Sequence, residues 1–392
     1  MPSSTQNILK LAACIGNQFD LETLAIISQQ SEMETATALW KALQSGFILP
    51  QSEVYKFYIS NEQQVNQQEV SQVVNYKFLH DRVQQAAYSL IPEEQKQFTH
   101  LRIGQLLLKG LSEQEQLERI FDLVNQLNLG QAAISNCKEQ QQLARFNLQA
   151  GQKARLSAAY KAALDYCIIG IDLLSANTWQ TNYELIYSLH RYGSEAAYLC
   201  GNFDQAEAIY LEALTHAQTP LDKAVIYRVQ MTQYQLQGRN SEAIAISSQS
   251  LELLGWEMPT EQELIQASLD KEIATVNRFL EQQTVESILD FPSTENLNIA
   301  EMLRILQILF YAAWLDGQPT LSLLAIAKVT TLSLQYGNSD ISPFGYVGYG
   351  MIANVVLKDY NTAYRFGKMA VQLCEQFDNA DVRGMTNFLF AA

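Results

Sequence analysis

Four stretches of this chain echo one another. Leu199-Cys200-Gly201-Asn202-Phe203-Asp204-Gln205-Ala206 is answered by Leu236-Gln237-Gly238-Arg239-Asn240-Ser241-Glu242-Ala243. Val356-Leu357-Lys358-Asp359-Tyr360-Asn361-Thr362-Ala363 keeps the form, and Arg155-Leu156-Ser157-Ala158-Ala159-Tyr160-Lys161-Ala162 is a looser copy. Each has an apolar pattern of helical period before it and another after it. A single pair of helices cannot bury its apolar face alone, so such pairs stack into a solenoid. Solenoids offer extended surfaces for partners more often than catalytic pockets.

From Gly201 to Gly238 is 37 residues, close to the 34-residue period of a tetratricopeptide repeat. Ala206, Ala243 and Ala363 are small enough to let the second helix of each pair approach the first. Tyr198, Phe203, Tyr210, Tyr234, Tyr360 and Phe366 fill the space between pairs. The expected fold is all-α, a tetratricopeptide-like α-solenoid preceded by a small winged-helix domain with a short β-ribbon.

That first domain occupies residues 1–92. Ile8, Leu11, Ala12 and Ile15 share one helical face, and Gly16-Asn17 ends the helix. Asp20 caps a second helix running through Ser28. Ser31 caps a third, with Glu34 as its capping-box partner. Its apolar face is Ala36, Leu39, Trp40 and Leu43. Three strand-like pieces follow: Phe47-Ile48-Leu49, Lys56-Phe57-Tyr58-Ile59 and Val74 to Leu79, with a Gln-rich loop from Ser60 to Gln72. A helix covers Asp81 to Leu90, and Pro92 marks the exit.

Residues 93–392 carry only helix signals. Helices are expected at about 93–109, 113–127, 130–150, 157–174, 182–200, 203–217, 222–237, 240–254, 261–282, 297–315, 320–336, 342–356 and 360–377, separated by turn segments such as Asp316-Gly317-Gln318-Pro319. Both ends look truncated. Met1 has no lead-in structure, and Asp381 to Ala392 opens an apolar helix without a polar terminal repeat to cover it.

Composition excludes several classes of function. The formal net charge is -15, which disfavours nucleic acid as the main partner. Cys14, Cys137, Cys167, Cys200 and Cys374 form no C-x-x-C pair and read as small apolar residues of a reducing compartment. His80, His100, His190 and His216 show no metal-ligand spacing. Met1 to Asn7 lacks the basic region of a signal peptide. The longest apolar stretches, such as Ile305 to Leu315, read as too short to span a bilayer. A cytoplasmic protein without membrane contact is expected.

No phosphate-binding loop, dinucleotide fingerprint, nucleophile elbow or kinase signature is present. Gly345-Tyr346-Val347-Gly348-Tyr349-Gly350 is glycine-rich but falls inside a repeat helix, which implies close helix packing. The third helix would be the reading helix of a DNA-binding winged helix, yet offers only Lys41 and Gln44 as donors. More informative is Phe78-Leu79-His80-Asp81-Arg82. If Val74, Tyr76 and Phe78 share one face, the same phase points His80 inward, and Asp81 is placed as an N-cap with Gln84 as its box partner. On residue physics this corner is either a satisfied core histidine beside a plain cap or a binding site.

Leu9 to Leu24 and Phe78 to Tyr88 resemble segments of the large bacterial multi-domain signalling kinases. Those combine a serine/threonine kinase, a STAND-type ATPase, helical repeats, a GAF sensor and a histidine kinase. Phe121 to Asn128 and Ala150-Gly151-Gln152-Lys153-Ala154 continue the likeness. The resemblance implies that residues 1–92 are the winged-helix end of the ATPase module and residues 93–392 its sensor arm. In STAND ATPases a His-Asp pair at this corner belongs to the off-state lock, the histidine contacting the β-phosphate of ADP. Leu79-His80-Asp81 matches that motif, which makes His80 the implied nucleotide contact and Asp81 its motif partner and helix cap. ADP or ATP would be the cofactor of the full-length protein and none of this chain alone, which lacks the ATPase and kinase motifs and is not expected to be an enzyme. The partners implied are a protein or other domains of the same polypeptide. Two rival readings are a freestanding winged-helix transcription regulator with a repeat sensor, and a repeat scaffold without a nucleotide role.

Overall fold

A computed structural model describes residues 1–52, 55 and 74–391. The strand expected at Lys56 to Ile59 and the Gln-rich loop lie outside the described residues. Among the described residues the fold is all-α apart from one small sheet, and the chain divides into two compact units, Met1–Gly193 and Ser194–Ala392.

In the first unit, α1 (Ser3–Ile15), β1 (Gln18–Asp20), α2 (Leu21–Ser28), α3 (Glu32–Gln44), β2 (Ile48–Pro50), β3 (Asn75–Phe78) and α4 (Asp81–Ser89) follow in order. The strands form an antiparallel sheet ordered β1-β3-β2, with Phe19 opposite Tyr76 and Ile48 opposite Phe78. These four side chains are buried with Ala12, Leu24 and Leu39, so the sheet closes one side of the three-helix core. The expected caps are present. Asp20 accepts from the Thr23 backbone N–H at 2.6 Å, and Ser31 and Glu34 form a reciprocal capping box.

Helices α5 (Glu93–Gly110), α6 (Glu113–Glu118), α7 (Ile120–Leu129), α8 (Cys137–Leu156), α9 (Tyr160–Asp172) and α10 (Thr178–Thr181) continue the unit. One apolar core joins Ile8, Phe19 and Leu39 to Ile103, Leu107, Leu123 and Leu143 without interruption. Two expected helices are redrawn. The 113–127 helix is broken at Arg119 into α6 and α7, and the 130–150 helix begins only at Cys137, after Asn136 caps it. Propensity favours neither break, and contacts made by Arg119 and packing of the Gly130 turn on Leu101 decide them.

In the second unit the echoing segments become one recurring turn. Gly201 and Gly238 have φ of 77° and 72°, and Lys358 takes 58° at the same position. In the first unit Ala158 takes 55°. Gly317, with φ 77°, is a fifth copy that the sequence comparison did not align with the others. The next backbone N–H then reaches back five residues, Asn202 to Ala197 at 2.9 Å, Arg239 to Tyr234 at 2.8 Å and Gln318 to Ala313 at 2.8 Å. A left-handed residue followed by this long return bond terminates a helix and reverses the chain. The hairpins so made are α8/α9, α11/α12 (Tyr183–Leu199, Phe203–His216), α13/α14 (Pro220–Leu236, Asn240–Leu253) and α16/α17 (Leu297–Leu315, Pro319–Tyr336); at α18/α19 (Ser342–Val355, Tyr360–Leu373) the Asp359 N–H after Lys358 reaches back six residues, to Ala353 at 2.9 Å.

The regular spacing is interrupted once, by α15 (Gln262–Gln282), which packs along α17. There the Glu272 carboxylate accepts from Lys328 Nζ at 3.0 Å and from Thr331 Oγ1 at 2.5 Å. The glycine-rich run packs as expected. A Cβ on Gly345 would lie 2.4 Å from Val329 Cγ1, and one on Gly350 would lie 3.0 Å from the Ala363 carbonyl oxygen. Helix α16 corrects the expectation that no apolar stretch is long enough to span a bilayer. It is long and apolar enough by length and composition. Leu303, Leu306, Leu309 and Ala313 are nevertheless fully buried within the unit, as in a core helix. The chain closes with α20 (Ala380–Ala391), packed on α18 and α19.

Candidate functional site

The strand β3 delivers the Phe78-Leu79-His80-Asp81 corner. Tyr76 and Phe78 face the core, as alternation requires. The alternation does not continue to His80, which is a correction to the inward placement. The strand ends at Phe78, and the Leu79 N–H donates to the Phe47 carbonyl at 2.9 Å as the chain bends. Leu79 is 54% exposed, and His80 projects to solvent. The cap assignment also moves by one residue. His80 is the N-cap residue, with no side-chain cap bond, and Asp81 is the first residue of α4. A carboxylate in that first turn is favoured by the helix dipole without being the cap. Gln84 is not a box partner, because its Nε2 donates to the Ala13 carbonyl at 3.1 Å, tying α4 to α1.

The structure thus presents an exposed imidazole at the N-terminal end of a helix, beside exposed Arg82 and half-buried Lys77. Exposed Leu79 precedes it, and exposed Phe47 and Leu49 pair through the backbone with Leu79 and Lys77. The two donors of the third helix face each other, Lys41 Nζ donating to Gln44 Oε1 at 3.1 Å.

The far end of α4 enters a buried polar relay that sequence reading missed. The Tyr88 hydroxyl lies 2.9 Å from His100 Nε2, and His100 Nδ1 lies 2.7 Å from Gln126 Oε1. Gln126 Nε2 donates to the Cys14 carbonyl at 2.8 Å. One tautomer satisfies every atom: Tyr88 donates to Nε2, and Nδ1–H donates to Gln126. The chain of bonds joins α4, α5, α7 and α1, where an unpaired buried group would cost about 1–3 kcal/mol. The Cys14 thiol beside it is pushed up to about 12 by burial, so it stays protonated and inert. The only sequence signal for this relay was a histidine inside the apolar pattern of α5.

A second polar tie sits at the α6–α7 break. Arg119 donates to Asp20 Oδ2 at 3.4 Å and to the Thr23 hydroxyl, and its Nε lies 3.6 Å from Asp122. These residues border a cavity of about 200 Å³ floored by Ile15, Phe19 and Leu107. Asp20 therefore caps α2 and anchors α7 with the same carboxylate. Among the described residues, no group of three or more His, Cys, Asp or Glu side chains converges in a metal-binding arrangement.

No family model matches the chain. Along its whole length it is similar to the hybrid signal transduction histidine kinase G of Dictyostelium discoideum, at 24% identity over 455 aligned positions. The chain spans 13% of that protein. The relative is not from a bacterium, so the bacterial origin expected from the sequence is not supported. Among solved structures, a STAND protein with a tetratricopeptide repeat sensor from Pyrococcus horikoshii matches 100% of this chain and 53% of its own, at 11% identity and a TM-score of 0.37. That likeness is too distant to bear on this chain. The chain is a helical-repeat protein similar, end to end, to a short part of a signalling kinase.

Proposed function

We propose that the chain is the regulatory and partner-binding segment of a signal-transduction kinase that carries a STAND-type ATPase. Residues 1–92 are its winged-helix domain and residues 93–392 its repeat arm. The observation that carries this reading is the extent of the kinase likeness, which runs through the N-terminal module and the repeats alike. The helix-strand-helix-helix-strand-strand order of α1 to β3 supports the winged-helix assignment. The recurring hairpin turns support the repeat arm.

In this reading His80 holds the off state by donating to the β-phosphate of ADP bound in the ATPase core, with Asp81 as its motif partner. Its solvent exposure leaves the ring free to meet an anion brought by another domain. The relay from Tyr88 to Cys14 then fastens α4 to the arm's first helices, so a load on His80 is transmitted to α5 and α7. Partner binding to the repeats favours the open state by differential affinity. The measurement is ADP release from the full-length protein, followed with a fluorescent ADP analogue. His80→Ala is expected to speed release at least about tenfold, the loss of one charge-assisted hydrogen bond. Release unchanged in His80→Ala removes the lock.

A further inference from the structure

We propose that the groove between α5 and α8 binds a small apolar zwitterion, its carboxylate at Lys109 and its ammonium at Glu139. This names a ligand for the repeat arm and so rests on the regulatory reading above.

The groove holds about 310 Å³ and lies wholly inside the first unit. That is the size of a small-ligand site, which is mostly apolar with a few placed polar groups. Its floor is Leu101, Leu127, Ile134 and Leu143, all buried, with half-buried Leu108 and Phe146 on the walls. Gln105, Lys109, Glu139 and Gln142 complete the lining. Among the described residues, none of these four has a hydrogen-bond or ion-pair partner.

Helix direction sets where the charges stand. Gly104 packs on Leu127 and Gly130 on Leu101, so α7 runs against α5. Asn128 and Asn147 exchange bonds of 2.9 and 2.8 Å, and Lys153 donates to the Leu117 carbonyl at 3.0 Å just ahead of α7. Helix α8 therefore runs against α7 and with α5. Lys109, in the last turn of α5, and Glu139, in the first turn of α8, mark opposite ends of the groove. Helix dipoles favour a cation and a carboxylate at those two termini, but they do not require that either line a groove. Lys138 and Arg145 lie about a quarter turn or more from the stripe of α8 that carries Glu139, Gln142, Leu143 and Phe146.

A cation at one end, a carboxylate at the other and an apolar floor between them select a ligand with the same three parts in reverse. A ligand charged at one end alone would leave the other end of the groove unanswered. The lining of α5 from Leu101 to Lys109 is about 12 Å long at 1.5 Å per residue, and three extended residues reach about 10 Å. Gln105 and Gln142 each offer a donor and an acceptor to groups along the ligand's body. A short apolar peptide with free ends and an ω-amino acid share this chemistry.

The probes are trileucine with free ends and ω-aminooctanoate, each titrated into the chain and followed by isothermal calorimetry. Both are expected to bind. Tighter binding of trileucine assigns the two glutamines to peptide groups, and tighter binding of ω-aminooctanoate assigns the site to the ends and the apolar body alone. Trileucine amide and N-acetyl-trileucine should each bind about two- to fivefold more weakly than the free peptide, the worth of one exposed ion pair. Lys109→Met should weaken the free acid and not the amide, and Glu139→Gln should weaken the free amine and not the acetylated form. Gln142→Trp, at an exposed position, fills the groove and should abolish binding, with the fold checked by circular dichroism. No binding of either probe, capped peptides that bind as well as the free one, or a Lys109→Met that weakens acid and amide alike overturns the assignment. The titration does not involve ADP, so a failed groove beside faster ADP release from His80→Ala discards the ligand and leaves the regulatory reading standing.

Discussion

Replacing Gly238 with alanine isolates the backbone cost of the recurring hairpin turn. Gly238 has φ 72°, and a Cβ built there meets nothing within 4 Å. The penalty is therefore conformational and not steric. A non-glycine residue in the left-handed region costs about 1–2 kcal/mol. Alanine also restricts the unfolded chain, which returns about 0.4–1 kcal/mol. The expected net loss is about 1 kcal/mol. Gly201 and Gly317 share the conformation and the open surroundings, so each should lose the same amount. Gly345→Ala is the contrasting control. Its φ is ordinary, but its Cβ would meet Val329 Cγ1 at 2.4 Å, and overpacking costs about 1–3 kcal/mol or more. Lys358→Gly runs the other way, relieving left-handed strain at φ 58° while loosening the unfolded chain, for a change within about 1 kcal/mol of zero. Urea unfolding with circular dichroism on the five variants reads all of these. Should Gly238→Ala be neutral, or Gly201, Gly238 and Gly317 differ widely, the claim that one turn geometry builds the hairpins fails.

Two further predictions concern charge. Glu301 has a side chain 5% exposed, paired with Arg228 Nε at 2.5 Å and 3.7 Å from Arg304. Glu301→Ala removes the hydrogen-bonded partner of Arg228, leaving Glu195 as a nearby opposite charge, and should cost at most about 3–5 kcal/mol, whereas Glu301→Met with Arg228→Met should recover much of that loss; a double variant no more stable than Glu301→Ala would refute the pairing. Glu286, held by Arg365, has its carboxyl lowered to about 2 by that hydrogen bond. Its folded-state value lies below the unfolded one, so its contribution is complete above about pH 4.5 and fades as pH falls toward 2. Both groups face water, which limits the effect to less than about 1 kcal/mol. The urea midpoint should fall less between pH 6 and pH 3 in Glu286→Gln than in the unaltered chain, and equal falls would exclude this pair as a source of acid sensitivity.

The sequence by itself determined what is local. Asp20, Ser31 and Glu34 announce helix starts because a cap needs only the next three residues. The hairpin turns are legible because a left-handed residue and its return bond span six residues. The glycine run of α18 reads as close packing because nothing larger than hydrogen fits there. Tertiary structure decided what depends on distant neighbours. Strand β1 is three residues long and exists because Phe19 finds Tyr76 across the sheet. His80 faces out because Phe47 draws the backbone of Leu79 into a bend, which no alternation rule foresees. The break at Arg119, the relay through His100 and the burial of Glu301 beside Arg228 each join residues far apart in the chain. Short-range rules cannot see such contacts, because their energy appears only once packing has excluded water from both partners.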